Sequence, residues 1–267
     1  KIPEYDLDSG SGMIKHILIR KSYASEKMLV VIVTQGTLLP NGKKIASDLI
    51  KAVPHVQTVI QNIHRKKTKL VLLDEEKVIF GKGFIDDEID GIKFRLSSKS
   101  FYQVNPMQMI KLYHAALDMA DIKPNDTVMD TYSGIGTISL LASKKAKEVI
   151  AIETNLSSHQ DALNNKKYNQ IENITFINDD VENYIQSYEG KVDCLIMDPT
   201  RDGSSDKFLK TVLELKPKRI VYISCEPRTQ IRDLLVLQKS YTIKSLQPVD
   251  MFSQTVHLEN IALLELN

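Results

Sequence analysis

The stretch Val128-Met129-Asp130-Thr131-Tyr132-Ser133-Gly134-Ile135-Gly136-Thr137-Ile138-Ser139 constrains this chain more than any other. An apolar run ends in an acid, passes through a turn with two glycines, and becomes an apolar helix. Glycine belongs where the backbone needs a positive φ or comes close to a ligand. Strand, tight turn and helix in this order open the dinucleotide-binding sheets. Here Ser139 stands where such a turn has a third Gly or Ala. An acid at the strand end, Asp130, would repel a pyrophosphate and suits a ligand with an amino group and no phosphate. S-adenosylmethionine is such a ligand; a nicotinamide dinucleotide is not. A plain strand-to-helix connection is the competing reading of this stretch taken alone.

The surrounding pattern extends the unit into a sheet. From residue 97 onward strands are expected at 127–130, 149–153, 174–177, 193–197 and 219–224, alternating with helices near 137–145, 157–168, 181–187, 206–215 and 229–239. Asn105-Pro106 starts a further helix, with Asn as cap and Pro in the first turn. Continuous apolar strands such as Val149-Ile150-Ala151-Ile152 imply a sheet covered on both faces. Two last strands, near 244–249 and 261–266, close a doubly wound parallel α/β sheet with one antiparallel end. Residues 1–96 read differently, as a smaller α+β module. Its strands are expected around Ile14–Ile19, 28–33, 56–63, 70–73 and 78–80, with a helix ended by Pro54 and a hairpin at Asp90-Gly91. The domains are therefore 1–96 and 97–267.

Composition narrows the function classes. The 267 residues are 42% hydrophobic and 26% charged, with a formal net charge of +1. That balance decides nothing about nucleic acid, although His64-Arg65-Lys66-Lys67-Thr68-Lys69 is a local basic run that reads either as a solvated loop or as a phosphate contact. Two cysteines, Cys194 and Cys225, cannot by themselves hold a disulfide framework, a zinc ion or an iron–sulfur cluster. No membrane-length apolar run or signal peptide is visible. A cytoplasmic protein with no metal is expected.

In a doubly wound sheet, ligands bind at the carboxyl ends of the strands. Those ends carry Asp130 with the Tyr132–Gly136 turn, then Glu153, Asp179-Asp180, Asp198-Pro199-Thr200-Arg201 and Ser224-Cys225-Glu226-Pro227. Glu153 stands where a ribose-binding acid belongs. One such group could be a loop residue or a helix cap; five in succession point to a site, since a loop needs only Gly, Asn or Ser.

Five ordered motifs then make the pattern specific: Ser100-Phe101-Tyr102-Gln103-Val104-Asn105-Pro106; Asp130-x-Tyr132-Ser133-Gly134-x-Gly136-Thr137; Asp198-Pro199-Thr200-Arg201; Ser224-Cys225-Glu226-Pro227-x-Thr229; and Pro248-Val249-Asp250-Met251-Phe252-x-x-Thr255-x-His257-x-Glu259. Together they resemble the RNA uracil-C5-methyltransferases, which make 5-methyluridine in ribosomal or transfer RNA. The resemblance runs from about Tyr5 to the end of the chain. It implies a Rossmann-like class I methyltransferase sheet, S-adenosylmethionine as cofactor, and RNA as partner, ribosomal first and transfer RNA second. It gives residues 97–267 the methyl transfer and 1–96 a part in gripping RNA. No obligate protein partner is implied. Thr200, Glu226 and Ser253 depart from the family's usual Pro, Asn and Pro, which leaves loop geometry open but not the reaction. Family members often begin with a small β-barrel, and some hold an iron–sulfur cluster on four cysteines. This sequence starts where the barrel would end, so a trimmed chain and a naturally short member both fit.

The resemblance also implies roles. Carbon 5 of uracil becomes nucleophilic only after a thiolate adds to carbon 6, so Cys225 would be the nucleophile. Cys194, inside an apolar strand, reads as a small buried hydrophobe. Glu259 would remove the carbon 5 proton after transfer, and Asp198 would position the uracil. Gln103, Asp130, Tyr132, Gly134, Gly136, Glu153, Asp180 and Asp198 would hold the methyl donor, Glu153 through the ribose hydroxyls. A lowered thiol pKa is expected, with Arg201 or Arg228 as the source of positive charge. An adenine amino-methyltransferase is a poorer fit, because Thr200-Arg201 replaces its second proline and aromatic residue. A non-catalytic RNA-binding protein of the same fold would not need Cys225 and Glu259.

Overall fold

A computed structural model describes residues 2–267. The chain divides into a first unit ending at Ser100 and a second unit, Phe101–Asn267. The break falls after Ser100 rather than after residue 96 because the intervening residues bond backward. The Ser97 amide donates to Ser100 Oγ (2.8 Å), Ser98 Oγ to Glu76 Oε2 (2.6 Å), and Lys99 Nζ to the Asp74 carbonyl (2.8 Å).

In the first unit, β1 (Ile14–Lys21), β2 (Met28–Thr34), α1 (Gly42–Ala52), β3 (Val56–Ile63) and β4 (Glu76–Phe80) form a four-stranded sheet in the order β1-β2-β3-β4. The apolar runs of β2 and β3 become its buried centre, paired in parallel through the crossover helix α1. Val30, Ile32, Val56 and Val59 pack against Ala46 of that helix and its partly buried neighbours Ile45, Leu49 and Ile50. The expected strand at 70–73 does not form. Those residues lie in the loop between β3 and β4, where no neighbouring strand pairs with their backbone. β5 (Phe84–Ile89) and β6 (Ile92–Ser97) form a separate hairpin. Its two turn residues, Asp90 (φ 50°) and Gly91 (φ 77°), both take the positive φ that a tight hairpin with the right-handed strand twist requires.

The second unit runs α2 (Pro106–Ala120), β7 (Thr127–Asp130), α3 (Thr137–Ala142), β8 (Glu148–Ile152), α4 (Leu156–Tyr168), β9 (Ile174–Ile177), α5 (Val181–Ser187), β10 (Cys194–Met197), α6 (Asp206–Leu215), β11 (Arg219–Ser224), α7 (Pro227–Leu237), β12 (Tyr241–Val249) and β13 (Glu259–Leu266). The sheet order is β12-β13-β11-β10-β7-β8-β9. β7 to β11 are mutually parallel; β13 is antiparallel to both β11 and β12. The antiparallel strand thus lies inside the sheet, between β11 and β12, rather than at its end. A hairpin entering next to β11 must place its second strand there if that strand is the more apolar, and β13 is the more buried of the two. Alternate residues of each central strand face opposite ways. Met129, Ile150, Ile152, Leu195, Met197, Ile220 and Tyr222 bury one face together with Val181, Ile185, Phe208, Val212, Leu234 and Leu237 of α5, α6 and α7. α2, α3 and α4 pack on β-strands as well, α2 against β11, β12 and β13, and its Met109, Leu112, Tyr113 and Ala116 are buried. No described helix is long and apolar enough to cross a membrane.

Candidate active site

Strand order reverses between β7 and β10. The chain passes from β7 to β8 and β9 on one side, then returns to β10 and β11 on the other. The helices after β7 and β10 therefore diverge, leaving a crevice at the carboxyl ends of these two strands. Asp130 ends β7 and pairs with Ile196, so Asp198 lies just past the neighbouring strand end. On β11 the antiparallel register pairs Ser224 with Asn260. Cys225 and Glu259, the first residue of β13, come directly beyond that last pair, near enough for the Glu259 charge to act on the thiol. Residues far apart in sequence thus meet because two strand ends are adjacent.

Cys225 is half-buried. Burial and the negative charges of Glu259 and Asp198 push its thiol above the ordinary value, while Arg201, hydrogen-bonded to it, pulls it down. The expected lowering of the thiol pKa is therefore not found in the protein by itself: one exposed arginine does not outweigh burial and two carboxylates. Arg201 is the cation beside the sulfur. Arg228 is exposed at the start of α7, where its amide donates to the capping Glu226 Oε1 at 3.2 Å. Glu259 is 3% exposed, and burial lifts its carboxyl to about 7 against the pull of Arg201. Asp198 keeps some surface open but lies deep among protein atoms. That burial and the charges of Glu259 and Asp130 raise it well above the carboxylate range. The charges of the same three acids act on the buried Tyr113 hydroxyl of α2.

The glycine turn lies across the crevice. Gly136 (φ 83°) opens α3, and an added Cβ would come 2.7 Å from Phe176 Cζ, so no other residue fits. Gly134 (φ 55°) faces open space. Glu153 is shaped by this turn: its Oε2 accepts the Gly134 amide at 2.8 Å and its Oε1 the Asn155 amide at 2.6 Å. Oε1 also accepts from Thr154 Oγ1 at 3.5 Å, while Oε2 keeps a lone pair for a further donor. Asp130 lies behind the turn, 1% exposed, with Oδ2 accepting from Ser139 Oγ at 2.6 Å. That bond explains Ser139 in place of the third small residue of a dinucleotide turn. Burial lifts Asp130 to about 6, opposed chiefly by the Ser139 hydroxyl, and its Oδ1 lacks a well-formed hydrogen bond. Ser133 Oγ is likewise buried without one. Tyr132 packs edge-on against Phe208, ring centroids 5.9 Å apart. Gln103 is buried just before α2. Asp180 caps α5, accepting the Glu182 amide at 2.8 Å.

The sequence reading had Asn105 as a helix cap but missed its bond to the tail loop, and it missed Gln230 and Asp233. Asn105 caps α2 through the Gln108 amide (3.3 Å) and donates to the Met251 carbonyl (3.2 Å), tying the Gln103 segment to the tail loop. Gln230 donates to the Tyr222 carbonyl (2.9 Å) and accepts from Asn260 Nδ2 (2.7 Å), which clamps α7 to the Cys225–Glu259 strand ends. Asp233, 0% exposed, accepts from the Ser204 amide (2.8 Å), the Tyr222 hydroxyl (2.7 Å) and Arg232 Nε (2.8 Å). It thereby anchors the loop that carries Arg201. One signal for these two was present: Gln230, Asp233, Leu234 and Leu237 are the buried stripe of α7, and polar residues within an apolar helical stripe need internal partners.

The raised Glu259 carboxyl has a consequence for stability. Between pH 4.5 and about 7 the folded state holds a proton that the unfolded chain has released, so stability falls as pH rises through that window. The loss from this residue is about 3 kcal/mol by pH 8. Glu259→Gln should therefore match the parent near pH 5 and exceed it increasingly toward pH 8. Denaturant unfolding at both pH values measures the gap; a gap that does not widen with pH would contradict the burial described here.

The sequence model of the tRNA (uracil-5-)-methyltransferases matches residues 20–267. The chain belongs to this family. Family relatives include RNA methyltransferases, themselves uncharacterized, of Halalkalibacterium halodurans (40% identical over 266 residues) and Lactiplantibacillus plantarum (42% over 266 residues). Each alignment covers 98% of this chain and 58% of the relative, so the chain spans under two thirds of the curated relatives it matches. Among solved structures, the Pyrococcus abyssi tRNA (uracil-54, C5)-methyltransferase in complex with S-adenosyl-L-homocysteine superposes with a TM-score of 0.83 at 24% identity, over 98% of this chain and 62% of that one. Wild-type Trm5b of the same organism superposes at 0.61 with 18% identity, over 94% of this chain and 74% of that one. These two likenesses are of fold.

Proposed function

We propose that this chain transfers a methyl group from S-adenosylmethionine to carbon 5 of a uridine in RNA, through a covalent bond between Cys225 and the uracil. The observation that carries this is the gathering of Glu259, Asp198 and Arg201 around the Cys225 thiol, just past the Ser224–Asn260 strand pair. The family supports it, as does the Pyrococcus abyssi enzyme of like fold, which is a tRNA (uracil-54, C5)-methyltransferase with the demethylated donor bound.

The donor fits the glycine turn. Gly134 faces open space, Asp130 Oδ1 and Ser133 Oγ are buried polar atoms in need of partners, and Glu153 presents two oriented oxygens. Glu153 would take the ribose hydroxyls, and Gln103, Tyr132, Gly136, Asp180 and Asp198 would line the rest. When bound, S-adenosylmethionine supplies an electron-poor methyl carbon, which is what an activated carbon 5 takes up. The chain's own residues do the remainder. Cys225 Sγ adds to carbon 6 and makes carbon 5 nucleophilic. Asp198 positions the ring. After transfer, the Glu259 carboxylate removes the carbon 5 proton, the ring double bond re-forms, and the carbon 6–sulfur bond breaks. A Glu259 carboxyl near 7 is matched to that task at neutral pH. The target base must leave its stack to reach the crevice, and we assign the first unit a part in gripping the RNA around it. Ribosomal RNA is our first assignment and transfer RNA the second, in the cytoplasm where both are made; nucleoside mass spectrometry of RNA from cells lacking the protein decides between them.

Calorimetry tests the donor site. S-adenosylmethionine should bind and NAD should not. Glu153→Gln should weaken donor binding by roughly 10–100-fold, the worth of one hydrogen bond to a charged group. Unchanged affinity would remove Glu153 from the site; absence of donor binding in the parent would remove the function.

A further inference from the structure

A second recess lies in the first unit. β3 ends at Ile63, and the next residue, His64, is 2% exposed although it opens a basic run. Its Nε2 lies 2.9 Å from the Leu70 carbonyl and its Nδ1 3.2 Å from Lys15 Nζ. A carbonyl only accepts, so Nε2 carries the proton and Nδ1 accepts from the ammonium. Lys15, on β1, also donates to the Lys66 carbonyl at 3.0 Å and lies 4.5 Å over the Tyr5 ring centroid. Its charge is therefore held in place by neutral groups. With Lys66, Lys67 and Thr68 it lines a recess of about 240 Å³ that reaches Tyr5.

Among the described residues, no carboxylate pairs with Lys15, Lys66 or Lys67. Of the acids in these segments, Glu75 bonds with Arg65 (3.2 Å), Asp74 with Lys99 (3.7 Å) and Asp6 with Ser9 (2.6 Å), and Glu4 and Asp8 are exposed to solvent. Burial and the repulsion of Lys67 both depress the Lys15 ammonium. A cation fixed by neutral partners beside two exposed like charges is relieved by an anion entering the recess. The groups offered are ammonium point charges and a hydroxyl, donors that phosphate oxygens accept, and phosphate is the anion that an RNA chain brings.

We infer that this recess is a phosphate-binding subsite for the RNA backbone, with phosphodiester oxygens held among Lys15, Lys66 and Lys67. The inference rests on RNA being the substrate, and it adds where the first unit takes hold of it.

The test uses the 267-residue chain and a fluorescein-labelled, uridine-containing RNA stem-loop, with binding followed by anisotropy from 50 to 300 mM salt. Lys66 and Lys67 are exposed, so Lys66→Gln/Lys67→Gln should keep the parent's melting curve. Loss of two contacts to unpaired strand should weaken binding roughly 25-fold at 0.1 M salt and lower the salt slope by about 1.4. Lys66→Arg/Lys67→Arg should retain binding. Lys43→Gln/Lys51→Gln, two exposed lysines on α1, removes the same charge elsewhere and should have a much smaller effect. Equal affinity and slope in Lys66→Gln/Lys67→Gln and the parent, or an equal loss in the α1 pair, would overturn the subsite. Failure of the functional reading shows itself differently, as a parent chain that binds no S-adenosylmethionine and forms no 5-methyluridine.

Discussion

Cys225→Ala should form no 5-methyluridine and no adduct with RNA, whereas Glu259→Gln should accumulate a protein–RNA adduct. Without the thiol, carbon 5 is never activated. Without the carboxylate, the thiol still adds and the methyl group still transfers, but the carbon 5 proton stays and the carbon 6–sulfur bond cannot break. General-base catalysis contributes about 10²–10⁴-fold, so the adduct should be long-lived but not permanent. The electrostatics strengthen the contrast. The Glu259 charge is one of the groups holding the thiol above its ordinary value; replacing it with a neutral amide makes the thiolate easier to form. Adduct formation by Glu259→Gln should therefore begin at a lower pH than methylation by the parent. A denaturing gel of each variant with RNA and donor reads the adduct as a retarded band. Full turnover by Glu259→Gln would assign the base to another residue, and a linked band with Cys225→Ala would refute the nucleophile.

Asp233→Ala should be among the most destabilising single changes in the second unit. It leaves the Tyr222 hydroxyl and the Ser204 amide buried without their acceptor and separates Arg232 from its carboxylate. Breaking a buried charged network by removing one partner costs about 3–5 kcal/mol. For a unit of this size that is roughly 6–20 °C in melting temperature. The loop carrying Arg201 would lose its anchor as well, so Cys225 should react more slowly with a thiol reagent at fixed pH even below the melting transition. Asp233→Asn keeps the volume and one acceptor and should fall between the two. A melting temperature within 2–3 °C of the parent for Asp233→Ala would show that solvent or a neighbouring loop replaces these bonds.

The sequence by itself determined whatever depends on local periodicity and local backbone chemistry. Alternating apolar strands and helices required a sheet covered on both faces, and they placed polar residues at the ends of five successive strands. Asp90-Gly91 required a hairpin, and Asn105-Pro106 a helix start. In each case the signal spans a few residues, because a turn or a cap is made by its own backbone. Strand order was not legible: placing β13 between β11 and β12 depends on which of two strands buries more surface against a distant one. The Cys225–Glu259 pairing follows from that order. So does the choice of Arg201 over Arg228, since Arg228 follows Cys225 in the same motif while Arg201 comes from the neighbouring strand end, yet Arg201 is the one that reaches the thiol. The strand expected at 70–73 failed for a related reason: its apolar residues had the pattern, but no neighbouring strand was available to bond their backbone. The raised carboxyls of Asp130 and Glu259 and the raised thiol of Cys225 depend on burial and on charges brought from other strands. Residue type alone sets where a group titrates in water, and only the tertiary structure decides how far the protein moves it.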